Sequence, residues 1–370
     1  MENQKIALFF LGDYRFDARS INMIKTLIKN HSVYIFHFKK TSVLGGEIHS
    51  KKLIEINIIP TQKKILKYIH WTALVYQILK KNTFQKIIAS DLYSLLPIYL
   101  SNIKAKIVYD SREIFTELSV HNNRKIKKII IKFIENLCLK EVSVILTSAN
   151  SDTRFLKNIY SHYKHIKYYT IFNFPHVFSM KKKSSYLRSK YSISKKDIIL
   201  IYQGVLQKGR GIKQMIHIVQ NTSNLVGVIV GDGEEELYYK KHVQGLSLSK
   251  KIFFLGSVPY LELLQITCSA DIGLALIRPS GISYQYALPN KLFEYAISGI
   301  PCLSSNLQNM KKYIKKYSLG LCVNNNLKNQ INAINQLSCP DAQKKYFLSR
   351  NNSELTWKYQ EKKFTDIICN

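Results

Sequence analysis

The stretch Ala287–Ser304 reads ALPNKLFEYAISGIPCLS. It predicts an irregular segment ending at Pro289-Asn290, a helix from Lys291 that stops at Gly299, and a buried strand over Ile300-Pro301-Cys302-Leu303. A helix that starts directly after a tight loop offers unpaired backbone N–H groups and the positive end of its dipole, and both favour a phosphate. We therefore expect a phosphate site at this helix start.

Glu294 lies about one turn inside the same predicted helix. A carboxylate at that position is close enough to accept hydrogen bonds from sugar hydroxyls if a nucleotide diphosphate occupies the helix start. The same residues also fit an ordinary helix start with Glu294 in solvent. The stretch alone leaves both interpretations open.

A second loop in this half has the composition of a pyrophosphate site. The predicted strand Asp197–Tyr202 runs into QGVLQKGRG, residues 203–211, which holds three glycines and two bases. Glycines permit close backbone approach to phosphates, and Lys208 and Arg210 add positive charge. The glycine spacing matches neither the dinucleotide fingerprint nor a P-loop, so we predict neither of those sites.

Strands and helices alternate on both sides of these loops. After the glycine loop the predicted elements are Leu225–Val230, which leads into Gly231-Asp232-Gly233, then the strand Ile252–Gly256, the helix Pro259–Ser269 and the strand Asp271–Ile277. The first half predicts strands at Lys5–Leu11, Val33–Phe36, Lys52–Ile59, Lys86–Asp91, Ala105–Tyr109 and Val142–Thr147, the last clear one, with helices at Ser20–Asn30 and Lys63–Lys81. This rhythm predicts an α/β chain with doubly wound parallel sheets, whose sites lie beyond the carboxyl ends of the strands.

Polar residues follow several strands of the first half, at Gly12-Asp13, at Asp91 and at Asp110-Ser111-Arg112-Glu113. Each group by itself also fits a strand end that is merely solvated. Three groups at one edge of a parallel sheet favour a site there.

The chain has 370 residues, which favours two domains. Lys and Arg number 55 against 24 Asp and Glu, a formal charge of +31 that attracts nucleic acid, anionic lipid or phosphorylated substrates. The abundance of Lys, Asn and Ile also fits a biased genome. The lysines are spread over helices of both halves, which disfavours a nucleic-acid partner.

Six cysteines show no metal-ligand spacing, and most lie in apolar runs. We expect reduced core residues of a cytosolic protein at Cys138, Cys268, Cys302, Cys322, Cys339 and Cys369. The opening run MENQKIALFFLGDY is not typical of a signal peptide, and no apolar stretch is long enough to cross a bilayer. No D-x-D motif occurs, so we predict no metal clamp.

Arg124–Lys140, RKIKKIIIKFIENLCLK, predicts an amphipathic helix with a basic face. One interpretation is a surface helix packed on the sheet. The other is an interfacial helix that holds the domain against anionic lipid. Farther on, Lys181-Lys182-Lys183-Ser184-Ser185 is the most linker-like segment.

The order and spacing of several motifs carry a resemblance. YQGVLQKGRG, GDG, FLGSVPYLEL, ADIGLALI and ALPNKLFEYAISGIPCLSS resemble the nucleotide-binding half of GT-B glycosyltransferases, family 4 in particular. VYDSRE and the Gly12-Asp13 loop are similar to the acceptor half, and WKYQEKKFTDII (357–368) is similar to the final helices that cross back. The resemblance implies two facing Rossmann-like domains. They comprise an acceptor domain at 1–178, with 350–370 packed back on it, and a nucleotide-sugar domain at 186–349.

The resemblance also implies roles for single residues. Arg210 stands where the family has a lysine that neutralises the donor diphosphate, and arginine can do this bidentately. Glu294 matches the acid that holds the ribose hydroxyls. The resemblance also implies Leu288, Pro289, Asn290 and Lys291 at the phosphates, and Gly231, Asp232, Gly233, Ser257 and Val258 around the base. Gly12, Asp13, Gly204 and Tyr286 are further candidates for binding the nucleotide sugar.

Three positions depart from the family pattern. Tyr286 replaces the first acid of the E-x7-E motif, and Val205 stands where many members have a second basic residue. Arg112 stands where relatives often have histidine, which leaves Glu113 as the neighbouring acid. Arg112 and Glu113 are candidates for orienting acceptor or sugar, and the sequence predicts no firm catalytic base.

The implied activity is transfer of a sugar from a UDP- or GDP-linked donor to a glycan or polyprenyl-linked acceptor. The resemblance further implies retention of anomeric configuration, no metal and no cofactor. Charge and resemblance together suggest surface polysaccharide biosynthesis (lipopolysaccharide or capsule) in the cytoplasm of a bacterium, at the anionic inner face of the plasma membrane. A sugar-nucleotide 2-epimerase and a non-catalytic GT-B subunit stay open as alternatives.

Overall fold

The computed structural model describes residues 3–40, 43–58, 64–118, 125–176, 183–349 and 351–369. The chain divides into two compact units, which we call unit 1 (Met1–Asn173 with Trp357–Asn370) and unit 2 (Phe174–Thr356). These bounds differ from the 1–178 and 186–349 expected from the sequence, and the segment that joins unit 1 begins at Trp357 rather than at residue 350.

Unit 1 is a seven-stranded parallel sheet in the order β3-β2-β1-β4-β5-β6-β7. Its elements are β1 (Lys5–Phe10), α1 (Ala18–Leu27), β2 (Ser32–Phe38), β3 (Leu53–Ile58), α2 (Lys64–Lys81), β4 (Lys86–Ala89), α3 (Leu92–Leu100), β5 (Lys106–Ser111), α4 (Lys125–Cys138), β6 (Val142–Thr147), α5 (Asn150–Ile159) and β7 (Lys167–Thr170).

The apolar runs of the central strands form the core of unit 1. The rings of Phe9 on β1 and Phe36 on β2 stack with their centroids 4.6 Å apart, and Trp71 of α2 is fully buried in the same cluster. α1 begins where the Asp17 carboxylate accepts from the N–H of Ser20 at 2.7 Å, which satisfies an otherwise unpaired helical donor.

β6, the last strand that the sequence marks clearly in this half, is not the last strand in the structure. β7 follows it and pairs with it in parallel. Its sequence KYYT is short, and only Thr170 is buried, so it lacks the apolar run that marks the other strands. Five residues of the predicted segments, Ile59, Lys63, Arg124, Lys181 and Lys182, lie outside the described residues.

Unit 2 repeats the wiring in a six-stranded parallel sheet of order β10-β9-β8-β11-β12-β13. Its elements are α6 (Tyr186–Tyr191), β8 (Ile198–Gln203), α7 (Ile212–Gln220), β9 (Leu225–Val230), α8 (Glu236–Gly245), β10 (Ile252–Gly256), α9 (Tyr260–Thr267), β11 (Ile272–Ala275), α10 (Ile282–Gln285), α11 (Asn290–Ile297), β12 (Cys302–Ser305), α12 (Gln308–Tyr317), β13 (Gly320–Val323), α13 (Leu327–Ser338) and α14 (Pro340–Ser349).

The two sheets confirm the predicted class, an α/β chain with two doubly wound domains. In each sheet the strand order reverses beside the first strand, between β1 and β4 in unit 1 and between β8 and β11 in unit 2. Ligands of such sheets bind beyond the carboxyl ends of the strands at this reversal. The carboxyl ends of β8 and β11 are therefore the place to examine in unit 2.

The last helix, α15 (Trp357–Cys369), belongs to unit 1. The buried indole of Trp357 donates to Thr26 Oγ1 on α1 at 2.8 Å. The side-chain amide of Gln360 accepts from the N–H of Phe172 and donates to its carbonyl, at 2.9 and 2.5 Å. Near its other end, Lys86 Nζ donates to the carbonyl of Ile368 at 2.6 Å.

All six cysteines are free, and three of them, Cys138, Cys268 and Cys302, are buried as expected. Cys339 is exposed, and Cys322 and Cys369 are partly buried, so the expectation of core cysteines holds for half of them. Within the described ranges, none of the helices combines the length and the apolar character needed to cross a membrane.

Candidate functional site

The glycine loop after β8 starts at Gly204 and ends where α7 begins. Gly204, Gly209 and Gly211 have φ of 124°, 82° and 88°, a region that residues with a side chain rarely adopt. At Gly211, a Cβ would also lie 2.5 Å from the carbonyl oxygen of Leu276. The glycines predicted to allow close backbone approach are therefore required by the conformation of the loop.

A second glycine turn, Gly231-Asp232-Gly233, follows β9 and packs against this loop backbone to backbone. The N–H of Leu206 donates to the carbonyl of Asp232 at 2.8 Å, and a Cβ on Gly233 would lie 2.4 Å from the carbonyl oxygen of Leu206. The N–H of Gly231 also donates to the carbonyl of Gly256 at the end of β10, at 2.8 Å. The structure thus brings three strand ends together.

Lys291 reaches this cluster from the first turn of α11. Its Nζ lies 3.7 Å from the ring centroid of Tyr202, and the same atom would lie 3.7 Å from a Cβ on Gly204. The Tyr202 hydroxyl donates to the carbonyl of Val205 at 2.7 Å, so one tyrosine supports both the loop and the ammonium. Burial and the nearby Arg210 lower the pKa of Lys291 to about 7.

Arg210 lies at the other end of the glycine loop. Its guanidinium stands over the ring of Tyr284 on α10, 4.6 Å from the centroid. The positive charge of Arg210 is, after burial, the next cause that lowers the pKa of Lys291, so the two basic groups interact electrostatically. The structure therefore brings together the two basic residues that the sequence predicts for a diphosphate.

Glu294 is buried one turn into α11 and is held by residues that the sequence analysis missed. Gln203 Nε2 donates to Glu294 Oε2, and Thr267 Oγ1 donates to Gln203 Oε1 at 2.7 Å. These two hydrogen bonds hold the Glu294 carboxylate at the end of β8, away from solvent. In the sequence, the role of Gln203 was indicated only by its position as the last residue of a buried strand, and nothing indicated the role of Thr267.

The remaining predicted donor residues surround α11 and β10. Pro289 is extended (φ −72°, ψ 143°) and immediately precedes the helix, which starts at Asn290, one residue before the predicted start. Leu288 is buried, and Tyr286 is partly buried with its carbonyl accepting from Asn309 Nδ2 at 2.6 Å. Ser257 and Val258 are partly buried directly after β10.

In unit 1 the predicted residues Gly12 and Asp13 serve the fold. The Asp13 carboxylate is almost fully buried and accepts from Arg15 Nη2 at 2.7 Å and from the N–H of Lys40 at 2.8 Å. Burial raises the pKa of Asp13, but these hydrogen bonds outweigh it and the pKa is lowered. A Cβ on Gly12 would lie 2.8 Å from the ring of Phe10. These contacts give no support for a ligand role.

Arg112 is likewise engaged within unit 1. Its Nε, Nη1 and Nη2 donate to Asp110, Asp17 and Ser20 at 3.0, 2.7 and 2.9 Å, and its guanidinium covers the ring of Phe10. Its nitrogens position α1 against β5, so its contacts give no support for the predicted role of Arg112 in orienting acceptor or sugar. Glu113 is exposed at the end of β5, and its role stays a prediction.

The edge of unit 2 thus combines two cations, a helix start and a fixed carboxylate. Cations and backbone N–H groups suit a diphosphate, and a carboxylate beside them suits hydroxyl groups. Among the residues that the structure describes, no group of three His, Cys, Asp or Glu side chains is placed to hold a metal ion.

Comparison with known proteins finds a family model that matches the part of the chain containing this edge. Residues 184–346 match the family model described as "Glycosyl transferases group 1", which covers most of unit 2. None of the curated proteins compared with the sequence matches it.

Solved structures match almost the whole chain. Sucrose-phosphate synthase from Thermosynechococcus elongatus is 15% identical with a TM-score of 0.74, over 99% of this chain and 98% of that one. Anabaena HepE in complex with UDP-glucose is 14% identical with a TM-score of 0.74, over 99% and 100%. WaaG, a glycosyltransferase involved in lipopolysaccharide biosynthesis, is 12% identical with a TM-score of 0.72, over 98% and 99%.

The family match confirms the predicted enzyme class, a glycosyltransferase, and the structural likeness confirms the predicted fold. Residues 184–346 therefore resemble the glycosyl transferases group 1 family, within a chain that has the fold of GT-B glycosyltransferases throughout, as the motifs predict.

Proposed function

We propose that the protein transfers a sugar from a UDP-linked donor to a lipid-linked glycan, with retention of configuration and without a metal. The observation that carries the proposal is the pair Arg210 and Lys291 beside the start of α11. HepE, whose structure holds UDP-glucose, has the same fold and favours UDP over GDP as the nucleotide to test first.

The chemistry follows from where charge develops. The bond between the anomeric carbon and the donor phosphate breaks, and a bond to an acceptor hydroxyl oxygen forms while that hydroxyl loses its proton. Negative charge grows on the departing diphosphate, so fixed cations there stabilise the transition state more than the bound donor. Arg210, Lys291 and the N–H groups at the start of α11 serve this end, and Glu294 holds the ribose hydroxyls.

A thermal-shift panel tests the donor. A ligand that binds only the folded state raises stability by RT ln(1 + [L]/Kd), about 2.7 kcal/mol at a hundredfold excess over Kd. We expect UDP-glucose to raise the melting temperature more than GDP-glucose or ADP-glucose does, and Glu294→Ala to reduce the shift. If none of the three raises it, the donor proposal is wrong.

The reaction needs a second test. Incubation of the protein with the donor alone separates transfer from its alternative, because a 2-epimerase releases an altered free sugar and a transferase does not. A folded protein that binds the donor, and neither hydrolyses nor transfers it, is a non-catalytic subunit.

The membrane part of the proposal rests on α4. Its inner side is anchored by the buried Glu135, which accepts from the hydroxyls of Tyr109 and Tyr160 at 2.9 and 2.6 Å. Four large apolar side chains stay exposed on the same helix, Ile126 at 76%, Ile129 at 68%, Ile130 at 51% and Phe133 at 67%.

Lysines flank these apolar side chains, with Lys125, Lys127 and Lys132 all exposed. A helix that exposes bulky apolar groups among lysines suits the interface of an anionic bilayer, with the apolar groups in the acyl region and the lysines at headgroup phosphates. We place α4 against the inner face of the plasma membrane, where a polyprenyl-linked acceptor is found.

Sedimentation with vesicles tests this placement. We expect the protein to bind phosphatidylglycerol vesicles at low salt and to bind phosphatidylcholine vesicles weakly. The double variant Ile129→Ser/Phe133→Ser should lower the affinity for phosphatidylglycerol vesicles by at least about tenfold, because each apolar side chain buried in the bilayer contributes roughly 1.5–3 kcal/mol. The matched control is Leu237→Ser, which removes an equally exposed side chain from α8 of unit 2. Equal sedimentation of both variants would mean that α4 is not the contact.

A further inference from the structure

Lys291 is a buried basic side chain without an ion-pair partner among the described residues. The residue is 8% exposed, and the described part of the chain provides no hydrogen bond or ion pair for its ammonium. Taking an ammonium out of water without a partner strongly disfavours its charged form. The surroundings of this one side chain therefore decide whether it carries a proton.

The groups that face Lys291 come from four elements. Tyr202 on β8 lies under the ammonium, Arg210 in the glycine loop adds a like charge, and Cys302 on β12 is a buried thiol whose pKa is itself raised by burial. Glu294 on the same helix is the one carboxylate in this set, and Gln203 holds it. Burial first, and then Arg210, lower the pKa of Lys291 to about 7.

Lys291 lies beside a loop position that has no basic side chain. Val205 stands where a basic residue is found in many members of the family that the sequence resembles, and its side chain is half exposed with no charge to offer. The Nζ of Lys291 lies beside Gly204, the neighbouring loop residue, within 3.7 Å of where a Cβ would stand. Lys291 therefore supplies from α11 the charge that the loop lacks.

We propose that donor binding is coupled to the uptake of one proton by Lys291, which is largely neutral in the empty site and becomes an ammonium when the donor diphosphate arrives. The proton comes from solvent, and no covalent bond to the donor forms. The inference rests on the proposed function, because it takes the ligand to be a nucleotide diphosphate sugar.

The pKa of Lys291 sets the number of protons taken up on donor binding. With a pKa near 7 in the empty site, Lys291 is mostly deprotonated at about pH 8, so binding takes up roughly 0.9 proton per donor if the anion raises that pKa well above 9. At about pH 6 the uptake falls to roughly 0.1. The same linkage weakens donor affinity about 50-fold between about pH 7 and about pH 9.

Isothermal titration with UDP-glucose measures the uptake directly. UDP-glucose is a suitable probe because its diphosphate is a diester and does not itself titrate in this range. At about pH 8 the observed heat is compared in buffers of low and high ionisation enthalpy, and the slope gives the protons taken up, about 0.9 for the wild type. Lys291→Met keeps most of the length of the side chain but removes the amine. We expect it to bind UDP-glucose more weakly, with a slope near zero and with an affinity that does not change with pH.

The matched control is Lys312→Met, which removes an exposed lysine from α12 of the same unit and should keep the wild-type slope. Donor binding by the wild type without a buffer-dependent heat overturns the coupling and leaves the proposed function standing. The same slope in Lys291→Met as in the wild type assigns the proton to another group and overturns it as well. Failure of the wild type to bind any nucleotide sugar overturns the proposed function, and this inference with it.

Discussion

The carboxyl edges of the two sheets use charged residues in opposite ways. In unit 1 the carboxylates of Asp13 and Asp110 are buried and paired with Arg15, Arg19 and Arg112. In unit 2 the buried Lys291 forms no ion pair with a carboxylate in the described ranges, and the loops around it are held by glycine and backbone contacts instead. A charged residue at a strand end is thus weak evidence for a site, and a buried basic side chain without an ion-pair partner is stronger evidence.

The largest effect should come from breaking a pair in unit 1. Arg19 Nη2 lies 2.6 Å from Asp110 Oδ1, and both side chains are buried. Arg19→Met leaves the Asp110 carboxylate with Arg112 alone, so we expect the free energy of unfolding to fall by about 3–5 kcal/mol. Urea unfolding of the purified variant measures it.

Two variants sharpen this prediction. Arg154→Met removes an exposed arginine of the same unit and should change stability by less than about 0.5 kcal/mol. The double variant Arg19→Met/Asp110→Asn also removes the negative charge of Asp110, and it should recover part of the lost free energy of unfolding. A cost for Arg19→Met no larger than that of Arg154→Met would show that the buried pair does not hold the edge together.

The next effect concerns catalysis in unit 2. Arg210→Ala removes a partly buried cation from the proposed diphosphate site, and we expect it to cost less stability than breaking the fully buried Arg19–Asp110 pair. We expect transfer to slow by about 100- to 1,000-fold, the usual loss when one group that stabilises transition-state charge is removed. Steady-state transfer from UDP-glucose, with melting temperature measured alongside, tests it.

Arg154→Ala serves as the control for Arg210→Ala, because it removes an arginine far from the glycine loop in sequence and should leave the rate unchanged. If Arg210→Ala unfolds the protein as readily as Arg19→Met does, the contrast between the two edges is wrong.

The smallest effect is a pH dependence of stability in the empty protein. The folded-state pKa of Lys291 lies near 7, below its ordinary value, so the unfolded chain binds more protons above pH 7 and wild-type stability rises with pH there. Lys291→Met lacks this dependence. Its stability advantage over the wild type should shrink by about 1 kcal/mol between about pH 6 and about pH 8, measured by urea unfolding. An advantage that grows with pH would give the opposite sign and contradict the neutral lysine.

Most strands were predictable because parallel strands buried on both faces read as apolar runs. β6, β9 and β10 match their predicted bounds. β7 was missed because its KYYT sequence has no such run and depends on pairing with β6 for its conformation. Pairing partners are not visible in one local stretch of sequence.

The site residues were predictable where the residue type alone indicates the role. Glycines with positive φ and bases in a strand-to-helix loop pointed to Gly204 and Arg210. The contact that Gln203 and Thr267 make with Glu294 could not be predicted, because Glu294 lies 91 residues from Gln203 and only the strand-end position of Gln203 is visible in the sequence. The contacts of Arg112 could not be predicted for the same reason, since Asp17 lies 95 residues away from it.

The two hydrogen bonds between Gln360 and the backbone of Phe172 have a consequence for folding during translation. Unit 1 includes a helix that leaves the ribosome only after all of Phe174–Thr356 has been synthesised. Unit 2 is continuous in sequence and can complete its fold first. Until α15 is synthesised, unit 1 lacks the hydrogen bonds from Gln360 to the backbone of Phe172 and from the Trp357 indole to Thr26. Premature termination before Trp357 would therefore damage the half of the molecule that was translated earliest.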